Sequence, residues 1–112
     1  MNRRRFVRVR ARIRFTFTWP EHFELYATED LSASGALLVR HLAQSPLPPV
    51  DTVGECAFNL DGAEIRSEAR VVRASRNGFA VRFCGLPRVL EDRIAGWVFR
   101  LEARALAGRM PV

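Results

Sequence analysis

A six-residue stretch, Asp30–Gly35, carries the clearest chemical pattern in this sequence: Asp-Leu-Ser-Ala-Ser-Gly. In an extended backbone, alternation predicts that Asp30 and Ser32 lie on one side of the chain and Leu31 on the other. Gly35 lacks a Cβ, which suits a turn or the close approach of another molecule. The acceptors would suit a donor-rich ligand edge, such as the N1–H and N2–H₂ groups of a guanine. The same residues also fit a plain turn, in which Asp and Ser bond their own backbone.

The amino terminus is crowded with arginine. Seven of the 18 basic residues, all of them arginine, lie within the first fourteen positions, where no acidic residue occurs. The net charge of +6 therefore originates in this segment. Such an arm suits an anion: a nucleotide, a nucleic acid, an acidic protein or a membrane surface. Arg4 and Arg8 show R-x-x-x-R spacing, and Asp30 follows Arg8 by 22 residues.

In this order, the two motifs resemble the PilZ domain, a bacterial receptor for the second messenger cyclic di-GMP. Arg5 and Phe6 complete the Arg-Arg-aromatic-x-Arg run that is usual in that family. Later arginines repeat the four-residue spacing, but they fall inside a regular strand pattern. The resemblance extends over nearly the whole chain.

The resemblance implies a set of ligand-binding residues. Arg4 and Arg8 would bind phosphate and guanine, which a planar guanidinium can do by bidentate hydrogen bonds or by stacking. Asp30 and Ser32 would contact the other side of the ligand, and Gly35 would let the backbone approach it. The ligand would be cyclic di-GMP, with no other cofactor.

Arg3 stands immediately before the first arginine of the motif. In PilZ-like proteins an arginine at that place is associated with an intercalated pair of cyclic di-GMP molecules, and an apolar residue with a single one. The resemblance therefore implies two ligands per domain. The alternative is that Arg3 is a solvated residue of the chain end.

Hydrophobic alternation predicts a β-rich chain. The run from Val7 to Trp19 alternates almost perfectly, with its odd-numbered residues facing the core. In the second strand Phe23, Leu25 and Ala27 are predicted to face inward. Turn signals at Asp61-Gly62 and Asn77-Gly78 separate later strands. The remaining strands are predicted at about 36–40, 52–60, 63–74 and 79–83.

After Pro87 the hydrophobic period becomes helical, which predicts a helix over 87–107. Six antiparallel strands most economically close into a small barrel. The predicted fold class is therefore all-β with a C-terminal helix: a six-stranded antiparallel β-barrel over 9–85, with the helix covering one opening. The same architecture is implied by the PilZ resemblance. Trp97 is expected to plug that opening, and Gly96 is expected to pack closely against the sheet.

The sequence contains no recognisable catalytic set. Cys56 and Cys84 lack metal-ligand spacing and are expected to be free buried thiols, and neither His22 nor His41 completes a cluster with them. We therefore expect no metal site and no enzymatic activity. No apolar run is long enough to cross a bilayer, and no secretory signal is recognised, so the expected location is the cytoplasm.

These observations favour a receptor or adaptor formed by a single domain, 1–112. Residues 1–8 are expected to form a basic, mobile arm, which the ligand orders to create a surface for an unidentified effector protein. Two alternatives remain open. One is a PilZ-like interaction module that works without ligand. The other is a small barrel that binds single-stranded nucleic acid, against which stand five aromatic residues at predicted inward positions: Phe15, Phe17, Trp19, Phe79 and Phe83.

Overall fold

The computed structural model describes the backbone of residues 12–109 and the side chains of residues 12–104. Six antiparallel strands form a closed barrel in the order β1-β2-β3-β6-β5-β4, and one helix follows them, which confirms the predicted fold class. The elements are β1 (Arg14–Trp19), β2 (His22–Leu31), β3 (Gly35–Arg40), β4 (Val53–Leu60), β5 (Ala63–Ala74), β6 (Gly78–Cys84) and α1 (Arg88–Arg109).

Strand β1 is shorter than its alternation predicted. Residues 7–11 of the predicted strand lie outside the described residues, and Arg12 and Ile13 precede the strand. Ile13 is nevertheless tied to β2, because its backbone N–H donates to Thr28 Oγ1 (2.9 Å) and its carbonyl accepts from Thr28 N (3.0 Å). Phe15 and Phe17 are fully buried, as the alternation predicted.

The prediction for the inward face of β2 was wrong for Phe23 and correct for Ala27, which is buried. Phe23 is 72% exposed, whereas Tyr26 and Thr28 are fully buried. Tyr26 can enter the core because its phenol donates a hydrogen bond to the carbonyl of Pro46 (2.6 Å) and its ring packs edge-on against Phe79. Because the phenol hydroxyl has a hydrogen-bond partner, burying Tyr26 leaves no unsatisfied polar group in the core.

A β-bulge then reverses the alternation in β2. Thr28 pairs with Leu38 and Asp30 with the next residue of β3, so Glu29 is an extra residue without a partner in the ladder. Without it, the face that buries Tyr26 and Thr28 would also bury Asp30. The inserted residue instead turns Leu31 into the core, fully buried, and leaves Asp30 partly exposed.

Helix α1 begins after Pro87 and packs one stripe against the barrel. Ile94 and Val98 are almost completely buried in the main core cluster, whereas Trp97 is only partly buried against it. Trp97 is therefore not the buried plug that was expected; Ile94 and Val98 are the helix residues that enter the core cluster. The helix also reaches the β4–β5 hairpin, where Arg100 donates to Asp61 Oδ2 (3.1 Å).

Gly96 does not pack against the sheet, contrary to expectation. A Cβ placed on it would meet only the guanidinium of Arg100, with Nη1 at 3.6 Å, which is ordinary van der Waals contact. Packing within the described fold therefore does not require this glycine, and it weakens the helix.

We expect Gly96→Ala to raise the free energy of unfolding by about 1 kcal/mol, because alanine restricts the unfolded chain and meets no obstacle in the helix. Thermal denaturation followed by circular dichroism should show a midpoint about 4 °C higher or more. Gly35→Ala is the matched control, since a Cβ there would lie 2.1 Å from the Val81 carbonyl oxygen. That variant should be destabilised by about 1–3 kcal/mol. An unchanged or lowered midpoint for Gly96→Ala would contradict this account of the helix.

Candidate functional site

The turn between β2 and β3 is held by its own serines. Ser32 N donates to the carbonyl of Gly35 (2.9 Å), and the hydroxyl of Ser32 lies 2.9 Å from that of Ser34 and accepts from Ser34 N (3.3 Å). Ser32 is only 1% exposed. The sequence placed Asp30 and Ser32 on one face, but β2 ends at Leu31 and the Ser32 hydroxyl points into the turn. In this structure Ser32 fixes the turn, and Ser34 is the more accessible hydroxyl.

Gly35 is required by the neighbouring strand. It pairs with Arg82 of β6, and a Cβ added at this glycine would lie 2.1 Å from the Val81 oxygen, which leaves no room for any side chain. The backbone N–H of Phe83 also donates to the Ser34 carbonyl (2.9 Å), so the turn is anchored to β6. The packing of β3 against β6 is therefore enough to explain why glycine occupies this position.

A groove of about 250 Å³ opens on the outer face of the barrel beside this turn. A second β-bulge shapes it: Val71 pairs with Val81 and Arg73 with Ala80, so Val72 is the extra residue. Four small residues, two valines and two arginines line it. The lining residues are Ser34, Gly35, Ala36, Val72, Arg73, Ala80, Val81 and Arg82.

Arg73 and Arg82 give the groove a positive charge. Both are exposed, and neither forms an ion pair within the part of the chain that the structure describes. By contrast, Arg66 pairs with Glu55 and Glu64, and its pKa is raised above all by its hydrogen bonds to Glu64. Arginines without a carboxylate partner are available to an anionic ligand.

Neither groove arginine was singled out from the sequence. The signal that could have indicated Arg73 is the apolar pair Val71-Val72, which interrupts the alternation of β5 and marks the bulge. Arg82 follows the ordinary alternation of β6, so the sequence does not distinguish it from other exposed residues. Its place beside the motif turn becomes evident only from its pairing with Gly35. Closure of the barrel brings residues of different strands together, and a local sequence pattern does not show which residues become neighbours.

The predicted site residues fall into two groups. Asp30, Ser32 and Gly35 are brought together at the β2–β3 turn, with Asp30 paired opposite Leu37 on β3. Arg3, Arg4 and Arg8 lie outside the described residues. The described chain begins next to the turn, because Ile13 is bonded to Thr28, two positions before Asp30.

The cysteines show no reactive environment. Cys56 is buried, and desolvation raises the pKa of its thiol to about 12, so it stays protonated at neutral pH. Cys84 is also a free thiol but only partly buried, which corrects one half of the expectation. Within residues 12–104 no group of histidine, cysteine and acidic side chains could hold a metal ion.

No helix among the described residues is both long and apolar enough to span a bilayer.

Comparison with known structures supports the fold. The chain aligns with the PilZ domain of CeSA from a cellulose-synthesising bacterium at 26% identity and a TM-score of 0.66, covering 86% of this chain and 98% of that one. It aligns with the PilZ domain of Escherichia coli YcgR, solved with c-di-GMP, at 18% identity and a TM-score of 0.74, covering 97% and 100%. It also aligns with the Bacillus subtilis inhibitor of motility MotI/DgrA at 17% identity and a TM-score of 0.82, covering 93% of this chain but only 53% of that protein.

The chain thus spans about half the length of MotI/DgrA. No curated protein sequence matches it. The family model described as the PilZ domain matches residues 2–100, a span that includes the arginine segment, the Asp30–Gly35 turn and most of the helix. The chain therefore belongs to the PilZ domain family.

Proposed function

We propose that this domain is a receptor for cyclic di-GMP, which it binds on the outer face of the barrel, in the groove beside the Asp30–Gly35 turn. The observation that carries the proposal is the pair Arg73 and Arg82, two arginines without a carboxylate partner among the described residues, which flank a groove directly next to the family's motif turn. The solved complex of the YcgR PilZ domain with c-di-GMP, which shares this fold, supports the choice of ligand.

The chemistry of the groove suits the ligand. Cyclic di-GMP presents two phosphates and two guanines, and guanidinium groups can neutralise the first and stack on or hydrogen-bond the second. The Ser34 hydroxyl, which is partly exposed, offers a further polar contact. Asp30 supplies a carboxylate for the N1–H and N2–H₂ donors of a guanine, whereas Ser32 supports the turn that positions Ser34.

The N-terminal arginines would close the site from the other side. Arg8 is five positions before Ile13, so chain geometry keeps it within about 18 Å of that residue and hence in reach of the turn. Arg3 and Arg4 lie a few residues further away. On this proposal the arm folds over the bound ligand, and the surface so created is what an effector protein recognises.

A nucleic-acid-binding barrel is less well supported. Phe15, Phe17 and Phe79 are buried, as predicted, and Trp19 is partly buried. Among the described residues, Phe23 and Phe99 are the largely exposed aromatic side chains, and they lie on β2 and α1 rather than in the groove. Binding of single strands by small barrels relies on aromatic platforms in a basic channel.

Calorimetric titration of the purified domain should show binding of cyclic di-GMP with a dissociation constant in the micromolar range or below, and far weaker binding of GMP. Both the groove and the arm should engage one ligand, which a mononucleotide cannot bridge. No detectable heat at about 100 µM ligand, equivalent to about −5.5 kcal/mol, would contradict the receptor function and favour a ligand-independent interaction module.

Asp30→Ala and Arg8→Ala should each weaken binding at least about tenfold, because each removes a charge-assisted hydrogen bond that contributes about 1.5–3 kcal/mol. Arg12→Ala is the matched control, since Arg12 is exposed and repeats the same spacing without belonging to the assigned motif. The affinities should be compared by the same calorimetric titration. An Arg12 effect as large as that of Arg8 would show that the arginine motif was assigned one repeat too early in the chain.

Arg3→Leu should lower the stoichiometry from two ligands per domain toward one. A self-stacked pair of cyclic di-GMP molecules carries four phosphate charges and a further guanine face, and Arg3 would supply the additional cation that stacks on it. Titration of both proteins at concentrations well above the dissociation constant gives the two stoichiometries. Equal values would leave Arg3 as a general contributor to the charge of the arm.

A further inference from the structure

A second groove lies at the seam between α1 and the β4–β5 hairpin. It encloses about 320 Å³ and is lined by Leu60, Asp61, Ala63, Arg93, Trp97 and Arg100. A smaller recess of about 20 Å³ adjoins it and adds Leu101 and Arg104. Asp61, Arg100 and the partly buried Trp97 line both. Ala63 and Val72 are nine positions apart on β5, so the two grooves are separated by about 30 Å along that strand.

The rim of this groove carries unbalanced positive charge. Arg100 is paired with Asp61 (3.1 Å). Arg93 and Arg104 are exposed and form no ion pair within the described part of the chain. They lie on the same helical face as Trp97, four positions before it and seven after it, so the indole is flanked by two available cations.

We infer that this groove docks an acidic segment of a partner protein, with an apolar side chain seated on Trp97 and carboxylates on Arg93 and Arg104. Charge complementarity selects the occupant. Asp61 is paired with Arg100, which leaves Arg93 and Arg104 as the cations that carboxylates of an acidic segment can meet. The eleven positions between Arg93 and Arg104 correspond to about 16 Å of helix, a length that five residues of extended peptide match.

The chain provides an internal reporter for this site. It contains two tryptophans, and Trp19 lies in the β1–β2 hairpin, stacked on His22. The probe is a capped hexapeptide, Glu-Ser-Phe-Ser-Ser-Glu, titrated into the ¹⁵N-labelled domain without nucleotide at low salt. The indole N–H signal of Trp97 should shift in a saturable way, with half-saturation below about 1 mM, while that of Trp19 stays in place.

Charge-reversal variants locate the binding. Arg93→Glu and Arg104→Glu should each weaken the peptide at least about tenfold, whereas Arg76→Glu, which makes the same charge change at an exposed residue of the β5–β6 turn, should not. A peptide with lysine in place of both glutamates should produce no shift of Trp97.

Three results would overturn the inference. The Trp97 signal could stay unchanged up to about 5 mM peptide, which is weaker than any useful docking contact. It could respond to an oligothymidylate at lower concentration than to the peptide, which would identify a nucleic-acid surface. The Trp97 signal could shift with protein concentration in the absence of peptide, which would identify a second copy of the chain as the occupant. None of these results bears on cyclic di-GMP, because none of these titrations contains it.

Discussion

One inserted residue in β2 determines where the carboxylate of the motif lies. Tyr26 and Thr28 are buried on the inner face of the wall, and strict alternation would carry Asp30 into the same core. The bulge at Glu29 reverses the alternation, so Leu31 fills the core and Asp30 is left at the surface. A charged group in the core would have cost several kcal/mol without a partner. The bulge therefore keeps Leu31 in the hydrophobic core and Asp30 out of it.

A second inserted residue, Val72, has a corresponding effect on β5. It interrupts the ladder beside Ala80 and opens the outer face where β3 and β6 meet. Gly35 contributes because the Val81 carbonyl occupies the space that a Cβ would need, which holds the motif turn close to β6. Arg73 and Arg82 line the resulting groove, and no carboxylate lines it among the described residues. The first fourteen residues of the sequence carry seven further arginines and no acidic residue.

Much of the fold followed from local patterns, and the failures have identifiable physical causes. Alternation and turn signals predicted β4 and β5, and the change to a helical period predicted α1, because each of these segments has one exposed face and one buried face. It failed in β2, where a hydrogen-bonded Tyr26 is buried and Phe23 is exposed. It also failed at Trp97, whose indole borders a groove rather than filling the barrel. Of the site, the sequence predicted the turn at Asp30–Gly35 but not Arg73 and Arg82, since only barrel closure brings them to that turn.

The central claim is that cyclic di-GMP lies in the groove between the motif turn and strands β5 and β6. Backbone amide shift mapping by NMR, with cyclic di-GMP added to the ¹⁵N-labelled domain, tests this most directly. The account predicts the largest shifts at Ser34–Ala36, Arg73 and Ala80–Arg82, with the amides of the α1 and β4–β5 hairpin seam almost unchanged. Large shifts at that seam, with the amides beside the motif turn unmoved, would contradict it.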